Sequence, residues 1–245
     1  MMLMRDIQTI LWKEWKEMFA WRAAGRGTLL STLVILLLLG AFLPLQSGEA
    51  WFTQPLTLAC WAWVPVFLTL GIVTDSFAGE RERHTLETLL ATRLPDTAIL
   101  LGKILASVLY GWGVAVLGLC LSALTLNIWL KGGPYFYAPA FFAAALGLSL
   151  LATALFASLG VLASLRAATA RQAFQRLSII MLVFYFLPFS VQFLPAHLRL
   201  RITEVLAGLD LAGLMAFVTV ILLIGDVVAI YLCFRRFQRA HLLTD

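Results

Sequence analysis

Long runs of apolar residues dominate the chain, and each run is followed by a short polar stretch. A helix needs about 20 apolar residues to cross the roughly 30 Å hydrocarbon core of a bilayer, and six runs come close to or exceed that length. None of them alternates with a period of two, as the strands of a membrane β-barrel do. The pattern predicts an all-α polytopic membrane protein with six transmembrane helices. The predicted spans are 28–45, 56–73, 98–126, 138–165, 177–194 and 211–234.

A different pattern precedes the first span, because apolar residues there recur at steps of three and four while polar residues take the opposite side. This periodicity predicts an amphipathic helix over residues 1–26 that lies along the cytoplasmic membrane surface, ahead of a transmembrane domain over residues 27–245. The apolar side contains Leu3, Ile7, Ile10, Leu11, Trp15, Met18 and Phe19, and the opposite side contains Asp6, Thr9, Lys13, Glu14, Lys16 and Glu17.

Composition supports a membrane protein and excludes two other classes. Hydrophobic residues make up 62% of the chain and charged residues 13%, with a mean hydropathy of +0.93. A soluble fold of 245 residues cannot bury that much apolar surface, and disordered chains are poor in apolar residues.

The positions of the basic residues predict the orientation of the chain. Of the 18 Lys and Arg residues, 15 lie before the first span, between spans 2 and 3 or at the beginning of span 3, between spans 4 and 5, or after span 6. Positive charge concentrates on the cytoplasmic side of membrane proteins, so both termini are expected in the cytoplasm. The net charge of +5 is then a topology signal in a multi-pass protein of the plasma or inner membrane, and no nucleic-acid partner is implied.

The connection between spans 2 and 3 has its own amphipathic pattern. Charged residues from Glu80 to Glu87 favour one side in water, and leucines from Leu86 to Leu94 gather on the other. Pro95 prevents the helix from continuing. We therefore predict a short helix over about residues 79–94 that projects charges and a leucine ridge into the cytoplasm, where a soluble partner could bind.

The residues of this connection resemble the cytoplasmic signature of ABC type-2 transporter permeases. That family has an E-x-E-x-G-T-L-E-x-L-L core, a proline a few residues later and a Gly-Lys at the start of the third span. The chain has the core over Glu80–Leu90, then Pro95 and Gly102-Lys103, but His84 stands where the family usually has glycine. The run Trp12–Glu17 is similar to the family's surface helix before span 1.

The resemblance implies that residues 79–94 form a coupling helix that sits in a groove of an ATPase subunit. The implied ATPase-docking residues are Glu80, Arg81, Glu82, His84, Thr85, Leu86, Glu87, Leu89 and Leu90. The sequence contains no G-x-x-x-x-G-K-[ST] phosphate loop, so ATP-Mg is expected on a separate phosphate-loop ATPase subunit, present in two copies. A second permease copy or a homologous permease would complete the transporter, and no catalytic residue, metal or cofactor is expected in this chain. Lys103 is interpreted as a lysine that extends towards the membrane interface.

Other functions stay open at this point. Asp226 lies well inside span 6, where a carboxyl group is costly and faces either the bundle or water. It is a possible polar site for substrate or protons, which would suit an ion-coupled secondary transporter, or it is a structural hydrogen-bonding group. The haem-exporter subunit of cytochrome c maturation is a second alternative with six spans. The favoured reading is the permease subunit of an ABC exporter that works by alternating access.

Overall fold

The computed structural model describes residues 2–20, 24–53, 55–130, 134–190, 194–195, 197–198, 201 and 211–237. All regular elements within these residues are helical, as predicted. A π-helical turn (Leu38–Phe42) and a 3-10 turn (Gly48–Phe52) flank the third helix. The α-helices are α1 (Met2–Ala20), α2 (Ala24–Leu37), α3 (Leu43–Ser47), α4 (Pro55–Glu82), α5 (Leu86–Leu90), α6 (Asp96–Trp129), α7 (Pro139–Leu165), α8 (Ala170–Ser190) and α9 (Leu211–Arg236).

Five helical stretches of the described chain are long and apolar enough to cross a membrane. They overlap the predicted spans 1, 2, 3, 4 and 6, and the first two extend past the predicted ends. The predicted fifth span, residues 177–194, overlaps α8, but part of it lies outside the described residues, and its crossing stays a prediction. The five stretches are Leu30–Phe52, Cys60–Glu82, Asp96–Trp129, Pro139–Leu165 and Ala212–Arg236.

Helix α7 lies at the centre of the bundle, where it packs against α4, α6, α8 and α9. Its most extensive contact is with α4, and the small residues of α7 permit it. A Cβ atom on Gly160 would lie 2.2 Å from Cγ1 of Val73, so only glycine fits there. Buried apolar side chains form one large cluster around α4, α5, α6 and α7, and a second around Trp51, Trp61 and Tyr137.

The ends of the helices group as the basic residues predict. Arg81 at the end of α4 contacts the segment after α7, and Phe77 of α4 packs against Phe237 just after α9. At the other end of the bundle, Phe52 packs against Tyr135 and Tyr137. The segments rich in Lys and Arg that the structure describes therefore share one end of the bundle, which is expected to face the cytoplasm.

Candidate functional site: the α4–α5 connection and a buried ionic cluster

The segment predicted as one helix over residues 79–94 is two helices, so that prediction is wrong in its geometry. Helix α4 continues from the membrane span to Glu82, and the separate α5 covers only Leu86–Leu90. The break between them has the hydrogen bonds of a Schellman motif: Thr85 N donates to Glu80 O at 2.9 Å, and His84 N donates to Arg81 O at 3.1 Å. The chain thus ends α4 with a defined cap and then turns back towards the bundle.

His84 occupies the position of this cap that requires a left-handed backbone. Its φ is 57°, and among the described residues no other non-glycine residue has a positive φ. Glycine is preferred at this position because it has no Cβ atom to clash with the backbone. The glycine usual in the resembling signature is therefore explained as a helix cap, and His84 adopts the same conformation with its side chain exposed.

The leucines of α5 do not project into solvent, which corrects the predicted leucine ridge. Leu86, Leu89 and Leu90 are 4%, 7% and 5% exposed and belong to the main apolar cluster. A five-residue helix with three leucines on one side gains more by burying them against the bundle than by exposing them to water. What α5 and the end of α4 expose is a polar surface, here called the docking face, made of Glu82, His84, Thr85, Glu87 and Thr88.

The charged residues that end α4 bind neighbouring helices. Arg81 donates to the carbonyl oxygens of Ala167 and of Leu165, the latter at 3.3 Å. Carbonyl groups at the end of a helix lack partners within it, and a guanidinium group satisfies them. Glu82 accepts a hydrogen bond from Ala170 N, the first residue of α8, at 3.2 Å. The docking face is thereby joined directly to α7 and α8.

Glu80 is buried and not in water, which is a second correction. Its side chain is 3% exposed and contacts two ammonium groups: Lys103 Nζ at 3.1 Å, and Lys13 Nζ, which donates to Glu80 Oε1. Lys103 also donates to Glu14 Oε1 and to the carbonyl oxygen of Ser76, both at 2.7 Å. We call Lys13, Glu14, Glu80 and Lys103 the ionic cluster.

Lys103 does not extend to the membrane interface, because its side chain is 1% exposed and lies inside the ionic cluster. Its ammonium group also lies 5.0 Å from the centroid of the Phe77 ring. The polar side of α1 is likewise not entirely solvated, since Glu14 turns inward to meet Lys103. Buried charges are tolerated only when they are paired, and here α1 supplies one charge of each sign.

The electrostatics of the cluster favour the charged forms of Lys13 and Glu14. Burial disfavours the Lys13 ammonium, but the carboxylates of Glu14 and Glu80 outweigh that effect and raise the pKa of Lys13 above its usual range. Burial also disfavours the Glu14 carboxylate, but the ammonium groups of Lys103 and Lys13 lower the pKa of Glu14. Both groups are therefore charged at neutral pH.

Three carboxylates of this region meet as they would around a metal ion. Glu14, Glu17 and Glu80 each place one oxygen within 4.8 Å of the others. Lys13 Nζ bonds to Glu80 and lies 3.5 Å from Glu14 and 3.3 Å from Glu17. The ammonium group of Lys13 thus contacts all three carboxylates, and the cluster is explained as an ion-paired one.

A cavity of about 930 Å³ opens beside the ionic cluster. Helices α1, α4, α5 and α8 line it, with Tyr110 of α6 at one side and Phe174 of α8 at another. Asp75 and Arg83 form a salt bridge of 3.0 Å in its wall. Among the described elements, α1 is attached to the bundle mainly through α6.

Asp226 lies away from this end, inside α9, and the structure buries it as its position predicts. The residue is 6% exposed, and neither carboxylate oxygen has a hydrogen-bond partner among the described residues. The neighbouring Gly225 faces Leu155 of α7, so Asp226 lies near the α7–α9 contact. The sequence thus predicts the buried carboxyl group, and no residue in the described part of the chain is its hydrogen-bond partner.

The sequence matches a known protein family. The sequence model of the family described as "ABC-2 family transporter protein" matches residues 61–200, which is more than half of the chain. The matched region contains most of α4, the docking face, and helices α5 to α8. No curated protein and no solved structure matches the chain.

Proposed function

Because this chain belongs to the ABC-2 family of transporter proteins, we propose that it is the permease subunit of an exporter driven by a separate ATPase subunit. The multi-pass membrane bundle would provide the path, and ATP binding on the partner would favour one packing of the helices over another. A ligand shifts such an equilibrium only through contacts that differ between the two states. The docking face is the surface proposed to make those contacts.

One observation carries this proposal, namely that the docking face is polar, exposed and joined to several helices at once. Glu82 binds the start of α8, Arg81 binds the end of α7, and the leucines of α5 are buried in the main cluster. A partner bound to Glu87 and Thr88 would therefore act on packed helices and not on a loose loop. The predicted docking residues fall into two groups. The first is exposed and could contact a partner. The second, which consists of Glu80, Arg81, Leu86, Leu89 and Leu90, is buried or binds the end of α7 and so supports the exposed surface from within.

The proposed assembly contains two ATPase subunits, which would bind ATP-Mg, and a second permease copy or a homologous permease. Most of the described apolar side chains of α2 and α9 are exposed in the single chain, including Leu33, Val34, Phe217 and Ile224. In a membrane such surfaces contact either lipid or another apolar protein surface. One of these two helices could therefore pack against the second permease while the other faces lipid.

Asp226 favours a second candidate, an ion-coupled transporter that needs no ATPase. An unpartnered carboxyl group at membrane depth is a recognised feature of proton pathways. The two candidates differ in whether transport requires an ATPase. The ABC permease requires one, whereas the ion-coupled transporter would transport its substrate as the purified chain alone.

Co-purification from the native membrane tests the proposed partner. We expect a phosphate-loop ATPase to purify with the tagged full-length chain, and the substitution Glu87→Arg on the docking face to remove it. Glu49→Arg is the matched control, because Glu49 is also exposed but lies in the 3-10 turn at the other end of the bundle. Equal recovery of the ATPase with both variants would contradict the assignment of the docking face.

A further inference from the structure

We propose that α1, the end of α4 and the start of α6 form one rigid unit, which is joined at Gly102 and Lys103 and carries movement of the docking face into α6. The proposal rests on the proposed function for the source of that movement. In this proposal α1 is a strut, that is, a helix fixed rigidly to α4 and α6, whereas the sequence pattern alone predicts a helix that lies along the membrane surface.

The first support is steric. Gly102 is buried under α1, and a Cβ atom on it would lie 2.6 Å from Ile10 Cγ2, 2.7 Å from Ile10 Cβ and 3.4 Å from the backbone oxygen of Ile7. Atoms do not approach so closely, so any side chain at this position would push α1 away from α6. Ile10 itself is 2% exposed, because it fills the space that Gly102 leaves.

The second support is electrostatic, and it comes from the next residue. Lys103 binds Glu14 of α1 and Glu80 of α4 at the same time, at 2.7 Å and 3.1 Å. Lys13 of α1 completes the link by binding Glu80. If α1 left, Glu14 and Lys13 would leave with it, and Lys103 and Glu80 would keep only each other in a site built for four charges.

The third support is the position of Glu80 in the chain. Its carbonyl oxygen accepts the hydrogen bond from Thr85 that ends α4, while its side chain binds Lys13 and Lys103. The cap that shapes the docking face and the cluster that holds α1 therefore share one residue. A displacement of the docking face cannot leave α1 behind without breaking buried ion pairs.

Pulsed electron paramagnetic resonance on the full-length chain tests the rigid unit. Spin labels are placed at the exposed Trp12 of α1 and Thr97 of α6, after Cys60, Cys120 and Cys233 are replaced by alanine. We expect one narrow distance distribution in lipid nanodiscs, which Gly102→Val and Lys103→Met broaden at least twofold. The controls Gly113→Val, where nothing lies within 4 Å of an added Cβ atom, and Lys16→Met, an exposed lysine, should leave it unchanged.

An isosteric change separates the ionic link from a general loss of packing. Glu14→Gln keeps the shape of the side chain but removes one of the four charges of the ionic cluster, so it is expected to broaden the distribution, whereas Glu17→Gln, at an exposed position of the same helix, should leave it narrow. A broad distribution in the parent chain, or the same width in Gly102→Val as in Gly113→Val, would overturn the rigid unit.

The role in transmission needs the partner ATPase. With the complex purified, Lys103→Met should leave the amount of bound ATPase unchanged but lower the permease-dependent change in ATP hydrolysis by about tenfold, within the range found for coupling between sites. An unaltered rate would overturn the strut, as would a change in the Trp12–Thr97 distance on addition of Mg-ATP. If no ATPase binds the parent chain, the proposed function fails, while the distance measurement still decides whether α1 is fixed.

Discussion

His84 shows how one residue shapes the connection between α4 and α5. Its left-handed backbone lets the chain reverse after Glu82, so that α5 returns to the bundle and its leucines become buried. A non-glycine residue pays about 1–2 kcal/mol for this backbone conformation. His84 and Thr85 both belong to the docking face, so this unfavourable backbone conformation is part of what shapes that surface.

Replacing His84 with glycine should stabilise the protein. Glycine removes the steric cost but is itself more flexible when unfolded, so we expect a net gain of about 1 kcal/mol in the free energy of unfolding. Thermal unfolding in detergent measures the change. Thr85→Gly is the control, because φ at Thr85 is −99° and glycine brings no relief there; a His84→Gly variant no more stable than Thr85→Gly would refute this explanation.

Asp226 presents the opposite case, a polar side chain with no partner in the described structure. An ionised carboxylate at this depth would cost several kcal/mol, and an amide of the same shape carries no charge. We therefore expect Asp226→Asn to leave the melting temperature unchanged or to raise it. Asp75→Asn serves as the comparison and should change stability little, since it removes only a partly exposed salt bridge to Arg83. A marked drop for Asp226→Asn would point to an ionised, structurally required carboxylate.

Helix α1 illustrates what an amphipathic pattern can and cannot predict. The step of three and four residues correctly predicts a helix, because periodicity follows from backbone geometry alone. It cannot tell whether Glu14 faces water or a buried lysine 89 positions away in sequence. The available signal was Lys103, a charged residue seven positions after the start of α6 in an otherwise apolar run.

Helix α5 shows a second limit. The leucines at positions 86, 89 and 90 were correctly placed on one side of a helix, but whether they face a partner or the bundle depends on where the chain turns. That turn is fixed by the cap at His84, and the helix pattern continues across it without interruption in the sequence.

The attachment of α1 should be insensitive to pH over a wide range. Glu14 has a lowered pKa, so its contribution is present above the unfolded-state value of about 4.3 and is lost only as pH falls further. Lys13 has a raised pKa, so its contribution is present below about pH 10.4 and is lost as pH rises through the higher folded value. A fluorophore on Trp12→Cys should report constant anisotropy from about pH 5 to 10. A transition near neutral pH would contradict the charged assignment of the cluster.

The bundle as a whole was largely predictable, because the length of an apolar run reflects the thickness of the bilayer. Spans 3, 4 and 6 were placed within three residues of the ends of α6, α7 and α9. Contacts between helices were not predictable, since nearly every residue of a membrane span is apolar whichever way it faces. The close approach at Gly160 is an example. Helix α7 contains many other small residues, and nothing in the sequence distinguishes Gly160 from them as the point of contact with Val73.

The number of crossings can be counted directly. If α8 crosses the membrane, Thr88 and the exposed Leu198 should lie on opposite sides. We expect a membrane-impermeant maleimide to label Leu198→Cys in intact cells and Thr88→Cys only after permeabilisation, in a chain without other cysteines. If Leu198→Cys, like Thr88→Cys, is labelled only after permeabilisation, the sixth crossing is removed.

The most direct test of the proposed function is photocrosslinking from the docking face. The photoreactive amino acid benzoyl-phenylalanine is placed at the exposed Thr88 of the full-length chain in its native membrane. It should yield one main adduct, whose peptides come from a phosphate-loop ATPase. The same amino acid at Thr53, exposed at the other end of the bundle, should yield none. An ATPase adduct at Thr53, or no ATPase adduct at Thr88 at equal expression, would contradict the proposal that an ATPase drives this permease through the α4–α5 connection.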